Sequence, residues 1–218
     1  MRILCLHGRG TNVEVIQMLG VATHIPNGCT FDFHEGSLSC PPAPEIAGMP
    51  GVSSQQKFLS YFDLSSSRSC EGALKGIEDH VSKSGPFDAL MAFSEGAAVA
   101  STFILSEGLK GLSPFKMAIF FCGGVPADPV ALQRGEVHLL ALGENETYSI
   151  KIPTVHVYGA KDPRMDEFGI GLSSICQDNL KTEIIHGGGH EIPGRKMDGI
   201  VSRVLSAIRE ARGKGVSS

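Results

Sequence analysis

Short apolar runs recur along the chain, each bounded by Gly, Pro or Asp, with stretches of helical periodicity between them. That alternation predicts βαβ units and a parallel sheet. The predicted strands are Arg2 to Leu6, Thr30 to His34, Phe87 to Phe93, Lys116 to Cys122, Thr154 to Tyr158 and Thr182 to His186. Several are apolar at consecutive rather than alternate positions, as expected of strands covered by helices on both faces. Met197, Ile200, Val201, Val204, Leu205 and Ile208 share one face at helical spacing, so the last helix should pack on the sheet. Leu74, Ile77 and Val81 mark a helix ahead of the third strand, and Thr11 with Glu14 reads as a capping box opening the first.

Two stretches break the alternation. Residues 36–69 carry Pro, Gly and Ser around a few apolar anchors, and residues 123–150 are similar, with a short helix expected around Pro129 to Arg134. Both suit a lid or pocket wall. From Gly213 onward the chain is expected to be a loose tail, leaving 1–212 as one domain.

Composition narrows the function classes. With 218 residues, 42% of them hydrophobic, the chain can bury one substantial core. A net charge of −4, with both signs mixed along the chain, provides no basic stripe for a nucleic-acid backbone. The six cysteines stand singly, which signals neither a zinc ribbon nor a disulfide framework, and Cys5 and Cys122 read as small core residues. The apolar start is too short for a secretory signal and no stretch is long enough to span a membrane, so a soluble, cytoplasmic protein is expected. The triplet Asn145-Glu146-Thr147 is then a chance sequon.

Chemistry enters at "ALMAFSEGAAVA", where Ser94 interrupts a run built for burial. The order is strand, turn, helix. In a nucleophile elbow the residues two before and two after the serine must be small, so that strand and helix can approach, and Ala92 and Gly96 meet that demand. The competing reading of Ser94 is a helix cap. "LCLHGRGTN" ends the first strand in a Gly-containing loop that can turn backbone N–H groups toward a developing oxyanion, the candidates being those of Arg9 and Glu95. His7 reads as a structural residue of that loop.

Asp162 follows "VHVYG" at a strand's carboxyl end, where open α/β sheets form their sites, and His190 follows the next strand on a glycine loop. Ser94, Asp162 and His190 therefore occur in the chain order of an α/β-hydrolase triad, each after a different strand. His186 and His190 have a metal-like spacing with Glu191 adjacent, but three glycines between them argue against the helix such a site needs.

Together "LHGRGTN", "AFSEGAA", "VYGAKDP" and "GGGHEIP" resemble the family of serine hydrolases (FSH), small eukaryotic α/β-hydrolases numerous in fungi, over nearly the whole chain. The family's nucleophile segment is usually G-F-S-Q-G-A, from which Ala92 and Glu95 depart. The resemblance implies a carboxylesterase, or a thioesterase releasing a polyketide chain from an acyl carrier protein, with no cofactor. The expectation is a single-domain α/β-hydrolase with a mostly parallel sheet of about six strands, cleaving a small-molecule ester or thioester by Ser94, His190 and Asp162. A lactonase and a catalytically silent binding protein are the alternatives. Were the acyl group delivered on an acidic carrier, Arg9, Lys161, Arg164 and Arg195 are the basic residues beside the site segments that would receive it.

Overall fold

The computed structural model describes residues 1–18, 28–49, 51–53, 55–140, 148–194 and 197–215. The sequon and Arg195 lie outside them. Among the described residues eight strands form: β1 (Arg2–Leu6), β2 (Thr30–His34), β3 (Leu38–Ser39), β4 (Leu59–Ser60), β5 (Ala89–Phe93), β6 (Met117–Phe121), β7 (Thr154–Gly159) and β8 (Lys181–His186). Six of these make one parallel sheet in the order β2-β1-β5-β6-β7-β8. The α/β architecture expected from the sequence is the one observed.

Both sheet faces are buried, which explains the unbroken apolar runs. Leu4, Leu6, Leu90, Ala118 and Phe120 face helices α2 (Ser67–Ser84) and α3 (Glu95–Leu109). Ile3, Met91, Ile119, Val155 and Val157 face the opposite side, where helix α6 (Asp198–Lys214) supplies Val204, Ala207, Ile208 and Ala211. Helix α1 (Val13–Met18) adds Ile16 to that second layer. Helix α3 is buried almost all round, so no amphipathic stripe marks it in the sequence.

Several local expectations are corrected. Asn12, not Thr11, caps α1: its Oδ1 accepts the Val15 N–H at 2.8 Å. Thr11 instead donates its hydroxyl to the Gly8 carbonyl at 2.6 Å, and Glu14 accepts from Gln56 Nε2 at 2.7 Å. Met197 precedes α6, and that helix runs beyond the expected end at 212 to Lys214, with the Gly215 N–H bonded to the Ala211 carbonyl. Residues 216–218 are outside the described part.

The stretch 36–69 is more ordered than its composition suggests. Strands β3 and β4 pair antiparallel, and Ser66 caps α2 before the stretch ends. In the second stretch, α4 (Pro129–Gln133) forms where a helix was expected, capped by Asp128, whose Oδ1 accepts from Val130 and Ala131. Residues 141–147 of that stretch lie outside the described part.

Candidate active site

The parallel sheet brings its strands' carboxyl ends to one edge, and Ser94, Asp162 and His190 converge there. Ser94 joins β5 to α3 at φ 53°, a left-handed conformation that a side chain seldom adopts. Its neighbours hold it there. The Ser94 N–H donates to the Phe121 carbonyl at 3.0 Å, and its own carbonyl accepts from Gly124 N–H at 3.0 Å. A Cβ at Gly96 would collide with the Leu6 and His7 carbonyl oxygens, so α3 packs against β1 only because that position is glycine. The Ser94 hydroxyl makes no helix-cap bond, which removes the capping reading.

Asp162 is placed by a turn closed from its N–H to the Gly159 carbonyl at 3.1 Å. Just past the end of β7, the Ala160 N–H donates to His186 O at 2.8 Å and the Lys161 N–H to Gly188 O at 2.9 Å, so the start of the His190 loop runs alongside this segment. A Cβ on Gly159 would run into the Gly188 and Gly189 carbonyls. This approach delivers His190 to the carboxylate: its Nδ1 lies 2.5 Å from Asp162 Oδ2 and its Nε2 lies 2.8 Å from Ser94 Oγ. With Nδ1 on a carboxylate, the proton sits on Nδ1 and Nε2 is left to accept from the serine hydroxyl. Asp162 Oδ1 accepts the Arg164 N–H at 3.0 Å, and the carboxylate is 5% exposed as a residue, which keeps water from competing for the imidazole.

Aromatic rings flank the imidazole. Phe93 has its centroid 5.2 Å from that of His190, and Phe168 lies 6.4 Å away at 63°. Phe168 belongs to a π-helical turn, Asp166–Ile170, that runs into the short helix α5 (Gly171–Ser174), and the Arg164 guanidinium stands 4.9 Å above its ring. Cys122, at φ 45° behind the pair, points its thiol at the Glu191 carbonyl, 3.5 Å away, and burial pushes that thiol up to about 12. Cys122 is buried as its apolar run led one to expect, but neither the ring packing nor the thiol's place near the imidazole had a signal in the sequence.

The oxyanion-loop candidates lie beside Ser94. Glu95 is the first residue of α3, so its N–H has no acceptor within the helix, and the Arg9 N–H has none among the described residues. His7 supports the loop: its Nε2 accepts the Gly36 N–H at 3.0 Å and its Nδ1–H donates to Gly8 O at 2.7 Å. Burial lowers its pKa and keeps the ring neutral.

The Glu95 carboxylate does not stand free in the site. Oε1 accepts from Ser60 Oγ at 2.8 Å and from Arg9 Nη1 at 3.3 Å, and Oε2 accepts from the Tyr61 N–H at 2.9 Å. Burial raises its pKa, against the pull of those three donors. His186 closes β8 and His190 lies on the irregular loop after it, so the two share no helix, and the His186 Nδ1 accepts the Gly188 N–H at 3.2 Å. Of the basic residues named for a carrier surface, Arg9 is engaged by Glu95 and Arg164 approaches Glu45 at 3.8 Å. Among the described residues no helix is long and apolar enough to cross a membrane.

The chain is 34% identical over 198 residues to esterase FPY3 of Fusarium mangiferae, covering 88% of each, and 29% identical over 216 residues to hydrolase phiM of a fungal species, covering 96% of this chain and 94% of that one. The carboxylesterase of Mesorhizobium loti superposes with a TM-score of 0.59 at 14% identity, over 96% of this chain and 88% of the other, a likeness of fold. The family model described as serine hydrolase (FSH1) matches residues 1–199, a span that holds Ser94, Asp162 and His190 alike, so the chain belongs to the FSH1 serine hydrolase family.

Proposed function

We propose that this serine hydrolase cleaves an acyl ester or thioester through Ser94, His190 and Asp162. The observation that carries the reading is the continuous Ser94 Oγ, His190, Asp162 hydrogen-bond chain at 2.8 and 2.5 Å. His190 Nε2 takes the proton as Ser94 Oγ attacks the carbonyl, and Asp162 holds the imidazole in its tautomer and balances the imidazolium. The tetrahedral oxygen forms opposite the N–H groups of Arg9 and Glu95, donors of a kind worth roughly 3–4 kcal/mol of barrier each. His190 then protonates the departing alcohol or thiol, and water repeats the sequence on the acyl enzyme. No cofactor enters the scheme.

The finer proposal is a thioesterase that takes its acyl or polyketide chain from an acyl carrier protein. The motif resemblance supports it, and the exposed Lys161 and the outward Arg9 and Arg164 side chains ring the site. A small-molecule carboxylesterase is the second reading, favoured by a specific observation: Arg9 and Arg164 already have carboxylate neighbours, Glu95 and Glu45, which weakens them as a landing patch.

A fluorophosphonate should label the protein once, at Ser94, with labelling lost in Ser94→Ala. Asp162→Asn should lower turnover by about 10⁴ with the fold intact. Labelling that survives Ser94→Ala, or an Asp162→Asn enzyme near wild type, would remove the assignment. The substrate is then decided by kcat/KM for one acyl group on a carrier protein against the same group on a small thiol, expected to differ by at least about tenfold, or roughly 1.4 kcal/mol of binding used in the transition state. Equal values favour the small-molecule esterase.

A further inference from the structure

The side chain of Glu95 lies outside the proton-transfer chain, yet it is 9% exposed and accepts from three donors on two separate segments. Its backbone N–H is one of the two proposed oxyanion donors. Its carboxylate grips the side chain of Arg9, whose backbone N–H is the other. It also fixes Ser60 and Tyr61, and this segment in turn clamps the oxyanion loop: the Gly10 N–H donates to Leu59 O at 2.9 Å, the Leu59 N–H donates to Thr11 O at 2.9 Å, and the Tyr61 hydroxyl accepts the His7 N–H at 3.1 Å. These three struts of the loop that carries the Arg9 donor therefore lead within one or two residues to this carboxylate, while two further ones run elsewhere, from the Gly36 N–H to His7 Nε2 and from the Ala43 N–H to Gly10 O.

We infer that Glu95 is a positioning residue that couples the two oxyanion donors, its carboxylate setting the Arg9 loop at a fixed distance from its own N–H. The inference rests on the serine-hydrolase reading of Ser94. A carboxylate suits the role because it has two acceptor oxygens for three donors converging from different directions. An amide has one acceptor oxygen and would turn its NH₂ toward Ser60 and Arg9, where the hydroxyl can reverse to accept and the guanidinium cannot. Glu95→Gln therefore keeps the clamp on residues 60–61 and loses the one on Arg9, whereas Glu95→Ala loses both.

The test measures kcat and KM on one ester substrate, with kcat divided by the fraction of protein that a fluorophosphonate labels, so that misfolded molecules are not counted. Glu95→Ala should lose about 10²-fold in kcat per labelled site with KM within a few-fold, the effect of a displaced rather than deleted donor. Glu95→Gln should recover kcat to within about tenfold of wild type. The affinity for a trifluoromethyl ketone, whose adduct carries the same oxyanion, should fall in parallel with kcat/KM across the series. Should Glu95→Ala not fold, Arg9→Ala, on a side chain 61% exposed, and Ser60→Ala each remove one strut, and each should cost about tenfold in kcat. Because both variants act on one network, Arg9→Ala should cost less in a Glu95→Gln background than in wild type. If kcat per labelled site stays within threefold of wild type in all of these, or if KM alone rises, the inference is overturned. A wild-type protein that fluorophosphonate does not label fails at an earlier step, taking the functional reading down before any variant is made.

Discussion

At the scale of single residues, the site depends on places where a side chain has been left out. Gly96 lets α3 approach the end of β1, and a methyl there would meet the backbone oxygens of Leu6 and His7, which no side-chain rotation can relieve. Gly96→Ala should therefore cost about 1–3 kcal/mol of stability, as overpacking does, and should lower kcat more than it raises KM, because the strand it displaces carries the loop proposed to hold the Arg9 oxyanion donor. Chemical denaturation and steady-state kinetics on the same preparation check both, and a variant as stable and active as wild type would contradict the packing argument. This feature was readable in the sequence, since a small residue two places after a candidate nucleophile is a steric demand of the turn itself. The same holds for the order of Ser94, Asp162 and His190, which strand topology dictates. What Glu95 does with its carboxylate was not readable: its partners lie at Arg9 and at residues 60–61, and no local pattern announces contacts over such separations.

At the scale of elements, the sheet was legible and the connections between its strands were legible only in part. Strands buried on both faces betray themselves by continuous apolar runs, and α6 by its stripe. Strands β3 and β4 have two residues each and sit in polar, Ser-rich sequence, too short for a period to be read. The π-helical turn Asp166–Ile170 was invisible for a different reason, because its geometry comes from packing: Gly169 sits against the ring of Tyr158, and Gly171 against Val125. Such turns often occur at functional sites, and this one carries Phe168 to the edge of His190. Phe168→Ala should free the imidazole on one side and lower kcat by about tenfold, a loss of roughly 1.4 kcal/mol in transition-state stabilisation. Its half-buried position makes a large change in melting temperature unnecessary. Phe168→Leu, which keeps bulk without the ring, should fall between the two. An unchanged kcat for Phe168→Ala would show that Phe93, the other ring beside His190, orients the imidazole without it.

At the scale of the whole molecule, buried histidines should set the acid limit of stability. His156 on β7 is 1% exposed, with Nε2 3.0 Å from Thr154 Oγ1 and the Phe120 ring beside it, and burial lowers its pKa to about 3. His34 is lowered to about 4, first by burial and then by the neighbouring His80 and His7. In the unfolded chain both titrate near the ordinary value of 6.5. Between those limits the unfolded state binds more protons than the folded one, so stability rises with pH. The stabilisation is complete above about pH 6.5 and is lost as pH falls toward 4 and then 3, on the order of a few kcal/mol for His156. Carboxylates held low in the fold, such as Asp88 by Lys116 and Glu78 by Lys75, add their own loss from about pH 5 downward, where unfolded carboxylates begin to protonate. The interval from pH 6.5 to about 5 is therefore dominated by the histidines. Denaturant midpoints measured across that interval should fall steadily with acid in wild type. In His156→Leu the absolute midpoint shifts through the changed packing, but its slope against pH should be visibly shallower, because one of the groups that takes up a proton only on unfolding is gone. Parallel slopes for the two proteins would mean that His156 gains its proton in the folded state as readily as in the unfolded one, against what its enclosure between β6 and β8 requires.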